Sequence, residues 1–166
     1  MCIRDSRVPV EQLWVGPGRT CAAPDELCVA VHIPAPPARA GSAYVRLEYR
    51  RAMEIAVVGA AAVVTLADDG AVATLAVALT AVAPIILSVT GLDALVGLGV
   101  TGAAAAVGEM AATQATPISD VRASDRYRRH TVGVMARRAV EAAARRAGGE
   151  TIAIPVNRAI GIGAPS

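Results

Sequence analysis

The residues able to do chemistry fall into a few small groups. Asp120, Ser124, Asp125 and His130 lie close together in sequence, and a carboxylate, a hydroxyl and an imidazole are the parts of a nucleophilic or acid–base site. No serine here stands between the glycines of a nucleophile elbow. At the start of a helix, Asp and Ser serve first as caps for unpaired amides. We therefore assign these residues to ordering a helix start, and no residue to catalysis. His32 and His130 are far apart, and neither has a Cys or carboxylate at ligand spacing, so no metal site is assigned.

Gly97–Gly102 reads GLGVTG, a literal GxGxxG that opens an alanine-rich segment. A dinucleotide fingerprint requires a strand before it, a second parallel strand after the helix, and an acidic residue ending that strand. The residues after the helix, TQATPISDVRASD, contain no apolar strand, so the glycines are read as a closely packed helix entry. The Gly16–Gly18 turn (GPG) is not followed by a helix start and so lacks the amides that hold phosphate. Cys2, Cys21 and Cys28 form no CxxC pair and read as reduced thiols of a cytoplasmic protein.

The element that organises the chain is Pro117–Arg146. Ser124 is placed to cap a helix in which Tyr127, Thr131, Val134, Met135, Ala139 and Ala142 form a buried stripe. Arg126, Arg129, Arg137, Arg138, Arg145 and Arg146 occupy much of the rest, and Gly148-Gly149 stops the helix. Upstream, residues 7–23 read as a short extended piece around Trp14 and a glycine turn. Asp25–Pro34 reads as a strand with Leu27, Val29, Val31 and Ile33 on one side and His32 on the other. Ala35–Ser42 (APPARAGS) is a linker by composition. Ala43–Ala56 suits a strand turning into a short helix. Val57–Ala67 and Ala71–Val82 form a hairpin about Asp68-Asp69-Gly70, and Ala103–Thr113 a helix.

Composition narrows the functions further. The chain has 166 residues, enough for one domain with a sizeable core. It is 54% hydrophobic but only 2% aromatic, without Phe, so alanine and valine must carry the burial. A net charge of +2 and the lack of stacking rings argue against nucleic acid as a partner. Ala71–Leu92 is free of charge over about the length that spans a bilayer. Pro84 interrupts it and its alternation is strand-like, so no transmembrane segment is assigned. The residues alone thus describe a small cytoplasmic α+β domain with a cationic helix suited to docking an acidic partner.

Several motifs in order carry a resemblance. They are GPGRT (Gly16–Thr20), DEL with a later IP (Asp25–Leu27, Ile33-Pro34), and GSAY followed by RRAMEIA (Gly41–Tyr44, Arg50–Ala56). VAP (Val82–Pro84) follows, then PISDVRAS and YRRH (Pro117–Ser124, Tyr127–His130). Over residues 8–147 the chain resembles the FAD-binding (medium) subunit of the molybdenum hydroxylases, such as aerobic carbon monoxide dehydrogenase and xanthine dehydrogenase.

The resemblance implies a division. Residues 1–6 (MCIRDS) are expected to be a sequencing or assembly artefact, 7–38 the end of an FAD-binding domain plus linker, 41–147 the C-terminal domain, and 148–166 a tail of no assigned role. It implies an antiparallel sheet of three to four strands packed against about three helices. It implies FAD in a full-length subunit whose glycine-rich binding loops lie upstream, partnered by a molybdopterin-containing large subunit and a [2Fe–2S] small subunit. Flavin contacts would come from Leu27, Cys28 and Arg46, the last at a position usually held by Lys. Arg keeps the charge there but presents a planar fork of donors.

Overall fold

The computed structural model describes residues 6–50 and 53–152. Met1–Asp5 of the expected artefact and the tail from residue 153 onward lie outside them. In chain order the elements are α1 (Val10–Leu13, a single turn), β1 (Trp14–Gly16), β2 (Arg19–Thr20), β3 (Ala40–Leu47), β4 (Val58–Leu66), β5 (Val72–Thr80), β6 (Leu87–Ser88), a 3-10 turn (Leu92–Leu95), α2 (Val100–Gln114) and α3 (Asp125–Ala147). Strands β1 and β2 pair about the Gly16–Gly18 turn, and β3-β4-β5-β6 form an antiparallel sheet in that order.

Period-2 alternation sorts the main sheet into two faces. The register sets Ala43 beside Ala62 and Val45 beside Ala60, then Ala60 beside Leu79 and Ala62 beside Val77. All six side chains are buried and face the helices. Ser42, Tyr44 and Arg46 point the other way, with Ala61 and Val63 beside them; Tyr44 and Val63 are each nearly half exposed. The expected hairpin is present: Asp69 accepts from the Ala71 amide at 2.9 Å, and Gly70 takes a positive φ of 83° at the turn.

An alanine–valine core has to close by bringing backbones together, and this one does. A Cβ on Gly41 of β3 would lie 2.1 Å from the Ala143 carbonyl of α3. One on Gly133 of α3 would lie 2.6 Å from the Gly108 carbonyl of α2. Ala103, Ala104, Val107 and Ala111 of α2 and Val132, Ala136, Ala139, Val140 and Ala143 of α3 fill the space beneath the sheet. Helix α3 packs on β3 and β4, and α2 packs on α3.

Several expectations need correction. Asp25–Pro34 pairs with no strand among the described residues: Leu27, Val29, Val31 and Ile33 are 75–92% exposed. Alternation marks residues able to line a sheet, but a strand exists only where a neighbour accepts its hydrogen bonds. No residue from 6 to 39 is buried. After β3 the described residues up to Ala56 contain no helix; Met53 sits at φ 51° in an exposed connection. Tyr127, assigned to the buried stripe, is 44% exposed, and Arg128 takes the inward position at 3%.

Helix α2 begins at Val100, capped by Gly99, so GLGVTG is a helix entry. A 3-10 turn precedes it, with the Gly97 amide bonded to the Val72 carbonyl. No helix among the described residues is long and apolar enough to cross a membrane.

Candidate functional site

The densest polar arrangement lies at one end of the domain, where the connection into α3 meets the ends of β3, β4 and β5. Ser124 caps α3, its hydroxyl accepting from the Tyr127 amide at 3.2 Å. Asp125 and Ser119 bond reciprocally: the Asp125 amide donates to Ser119 Oγ at 2.8 Å, and that hydroxyl donates to Asp125 Oδ1 at 3.1 Å. The Arg126 amide, and after it the Ser119 hydroxyl, lower the Asp125 pKa.

Asp120 folds the turn ahead of the helix. Its Oδ1 accepts from the Arg122 amide at 2.8 Å and the Ala123 amide at 3.1 Å, and Arg128 reaches the same oxygen at 2.8 Å. The Arg122 amide first, and the Arg128 guanidinium next, hold the Asp120 carboxyl at about 2, below its ordinary 3.8. Such a group stays ionised at neutral pH, so it has no proton to give as a general acid and is a weak base. Its role is structural.

Arg128 extends the network into the sheet. Its Nη1 donates to the Val57 carbonyl at 2.6 Å and the Ala81 carbonyl at 3.3 Å. One guanidinium thereby joins the start of β4, the end of β5 and the turn into α3. Tyr49, just past β3, donates its hydroxyl to the Arg122 carbonyl and closes the same end.

The cationic face expected of α3 is largely turned to internal work. Of its seven arginines, Arg128 and Arg129 hold carbonyls of other elements and Arg146 holds those of Ser42 and Ile152. Arg145 pairs with Glu150 and Arg137 with Glu141. Only Arg126 and Arg138 carry no such bond among the described residues. Arg128 was legible in principle, because it lies four residues before Val132 and seven before Met135, in phase with the buried stripe.

The three residues expected at a flavin lie on two segments. Leu27 and Cys28 are exposed on the extended stretch, and their amides bond to no other described residue. Arg46 is on the outer face of β3, across from Gly59 of β4. Tyr44 lies over that glycine: a Cβ there would be 2.6 Å from the Tyr44 hydroxyl. Arg46 pairs with Glu48 at 2.5 Å.

A four-stranded antiparallel sheet packed against helices defines a two-layer α+β domain of the flavoprotein C-terminal type. Residues 43–143 match the CO dehydrogenase flavoprotein C-terminal domain, and the chain belongs to that family. It is 31% identical over 149 residues to the xanthine dehydrogenase FAD-binding subunit of Escherichia coli O157:H7, and a counterpart from strain K12 is 32% identical. Each match covers 86% of this chain and 50% of the relative.

Among solved structures, the reconstituted CO dehydrogenase from Oligotropha carboxidovorans aligns with a TM-score of 0.75 at 34% identity. That match covers 81% of this chain and 47% of the other. The carbon monoxide dehydrogenase from Hydrogenophaga pseudoflava aligns at 0.76 and 32%, covering 82% and 47%. The chain thus spans about half the length of the relatives it matches.

Proposed function

We propose that this chain is the C-terminal part of an FAD-binding subunit of a molybdenum-containing hydroxylase of the carbon monoxide or xanthine dehydrogenase type. The observation that carries this reading is the match over residues 43–143, joined to the fold likeness to two carbon monoxide dehydrogenases. The full subunit would sit in the cytoplasm with a molybdopterin-containing large subunit and a [2Fe–2S] small subunit. The flavin, when bound, supplies the step from iron–sulfur clusters to an external acceptor.

This chain's own contribution would be at the ring edge. Leu27 and Cys28 offer backbone donors, and Arg46 offers a fixed positive charge on the sheet's outer face. The phosphates would be held by upstream loops, so the chain alone is not expected to turn over substrate. Residues 7–38 would be the end of the FAD-binding domain plus a linker, where Leu27, Val29, Val31 and Ile33 would find a strand partner.

The deciding experiment co-expresses the full-length subunit with the products of its neighbouring genes. The expected result is a flavin spectrum and co-purification with molybdenum and iron–sulfur subunits. A full-length chain that binds no flavin and elutes alone would overturn the reading.

A further inference from the structure

We infer that the end of the domain gathered around Arg128 is a docking surface for a different protein chain with an apolar, acidic face. This rests on the reading above, in which that chain is another subunit of the complex. Here the end of β3, the start of β4, the end of β5 and the entry to α3 come together. Six large apolar side chains stand out at this end: Tyr49, Met53, Ile55, Ile118, Val121 and Tyr127, each at least 44% exposed. Hydrogen bonds hold them in one neighbourhood. Tyr49 is tied to Arg122, next to Val121. Arg128, next to Tyr127, is tied to Val57, two residues past Ile55. The Thr116 amide, two residues before Ile118, donates to the Val82 carbonyl beside Ala81.

Composition sets this end apart. The chain has three Tyr, one Trp and no Phe, and two of those tyrosines are exposed here. Tyrosine, methionine and arginine are enriched at the centres of protein interfaces, and apolar groups gathered in water mark a contact surface. The charge is one-sided as well. Glu54, Asp120 and Asp125 are each bonded within the chain. The Arg126 side chain carries no bond among the described residues, and that of Arg50 is 71% exposed although it reaches Glu54. An incoming carboxylate therefore finds donors, whereas an incoming cation meets carboxylates already engaged.

Other occupants fit this end less well. The chain that precedes β3 enters at Ala40, at the opposite end of an eight-residue strand and roughly 25 Å away. A second copy on a two-fold axis would set Arg50 and Arg126 against their own equivalents. An anionic membrane would press on exposed Asp125, which the Arg126 amide and then the Ser119 hydroxyl favour in its ionised form. The buried Arg128 network thus gains a use beyond stability. It fixes the connections at Val57, Ala81 and Asp120 relative to α3, so the surface is ordered before a partner arrives.

The test measures, by biolayer interferometry, binding of the purified full-length subunit to the products of its neighbouring genes. It compares the parent with Val121→Asp, Arg126→Glu and Val96→Asp. Val96 is half exposed beside the 3-10 turn, at the opposite end of the sheet, and is the control. The expected result is binding weaker by about tenfold or more in V121D and R126E, with V96D unchanged. Val121 and Arg126 are exposed, and circular dichroism of each variant checks that the fold is kept. Equal binding in all four proteins would overturn the docking surface and leave the subunit reading standing. A parent that binds none of the neighbouring products would remove both. Self-association of the parent, or its retention on phosphatidylserine vesicles, that V121D abolishes would overturn the choice of partner.

Discussion

The Arg128 guanidinium donates to the Val57 carbonyl at 2.6 Å from a helix more than seventy residues along the chain, and with only 3% of the residue exposed. It also grips the Ala81 carbonyl and the Asp120 carboxylate. Nη1 is matched by the two carbonyls and Nη2 by the carboxylate, while Nε is buried without a partner, and removing the guanidinium leaves the buried acceptors unpaired. Arg128→Met is therefore expected to destabilise the domain by about 3 kcal/mol, read as a lower midpoint in urea unfolding. An unchanged midpoint would show that the network is dispensable.

Glycines of this chain should divide by what surrounds them. Gly133→Ala places a methyl 2.6 Å from the Gly108 carbonyl and should cost about 1–3 kcal/mol by forcing α2 and α3 apart. Gly102, early in α2, faces open space. Gly102→Ala should stabilise by roughly 0.5–1 kcal/mol through helix propensity. Thermal unfolding of the two variants reads opposite signs, and equal signs would contradict the packing described.

Acid stability should report on Asp120. Its folded pKa of about 2 lies below the ordinary 3.8, so the native state prefers the ionised form. Stability from this group is fully present above the unfolded value and is lost as pH falls from about 4 through about 2. Asp125 and Glu150, also lowered, act in the same direction. Asp120→Asn should flatten, without abolishing, the loss of stability across that window in acid titrations followed by circular dichroism.

The start of α3 offers a simpler measurement. Ser124→Ala removes the acceptor of the Tyr127 amide and should cost about 1 kcal/mol, while Ser124→Asp should keep the cap. Equal loss in both variants would place the effect elsewhere than capping.

The sequence by itself determined the elements whose cause is local. The Asp-Gly turn, the Ser124 cap and the stop at Gly148 follow from short-range chemistry, and the motif order along the chain determined the family. Tertiary structure decided what depends on distant partners. Leu27–Ile33 alternates as a strand yet stands unpaired among the described residues, because ladder bonds need a neighbour that sequence alternation does not supply. The arginine stripe could not reveal which cations would turn inward, since that depends on carbonyls at Val57, Ala81, Ala115 and Ser42 brought together by the fold.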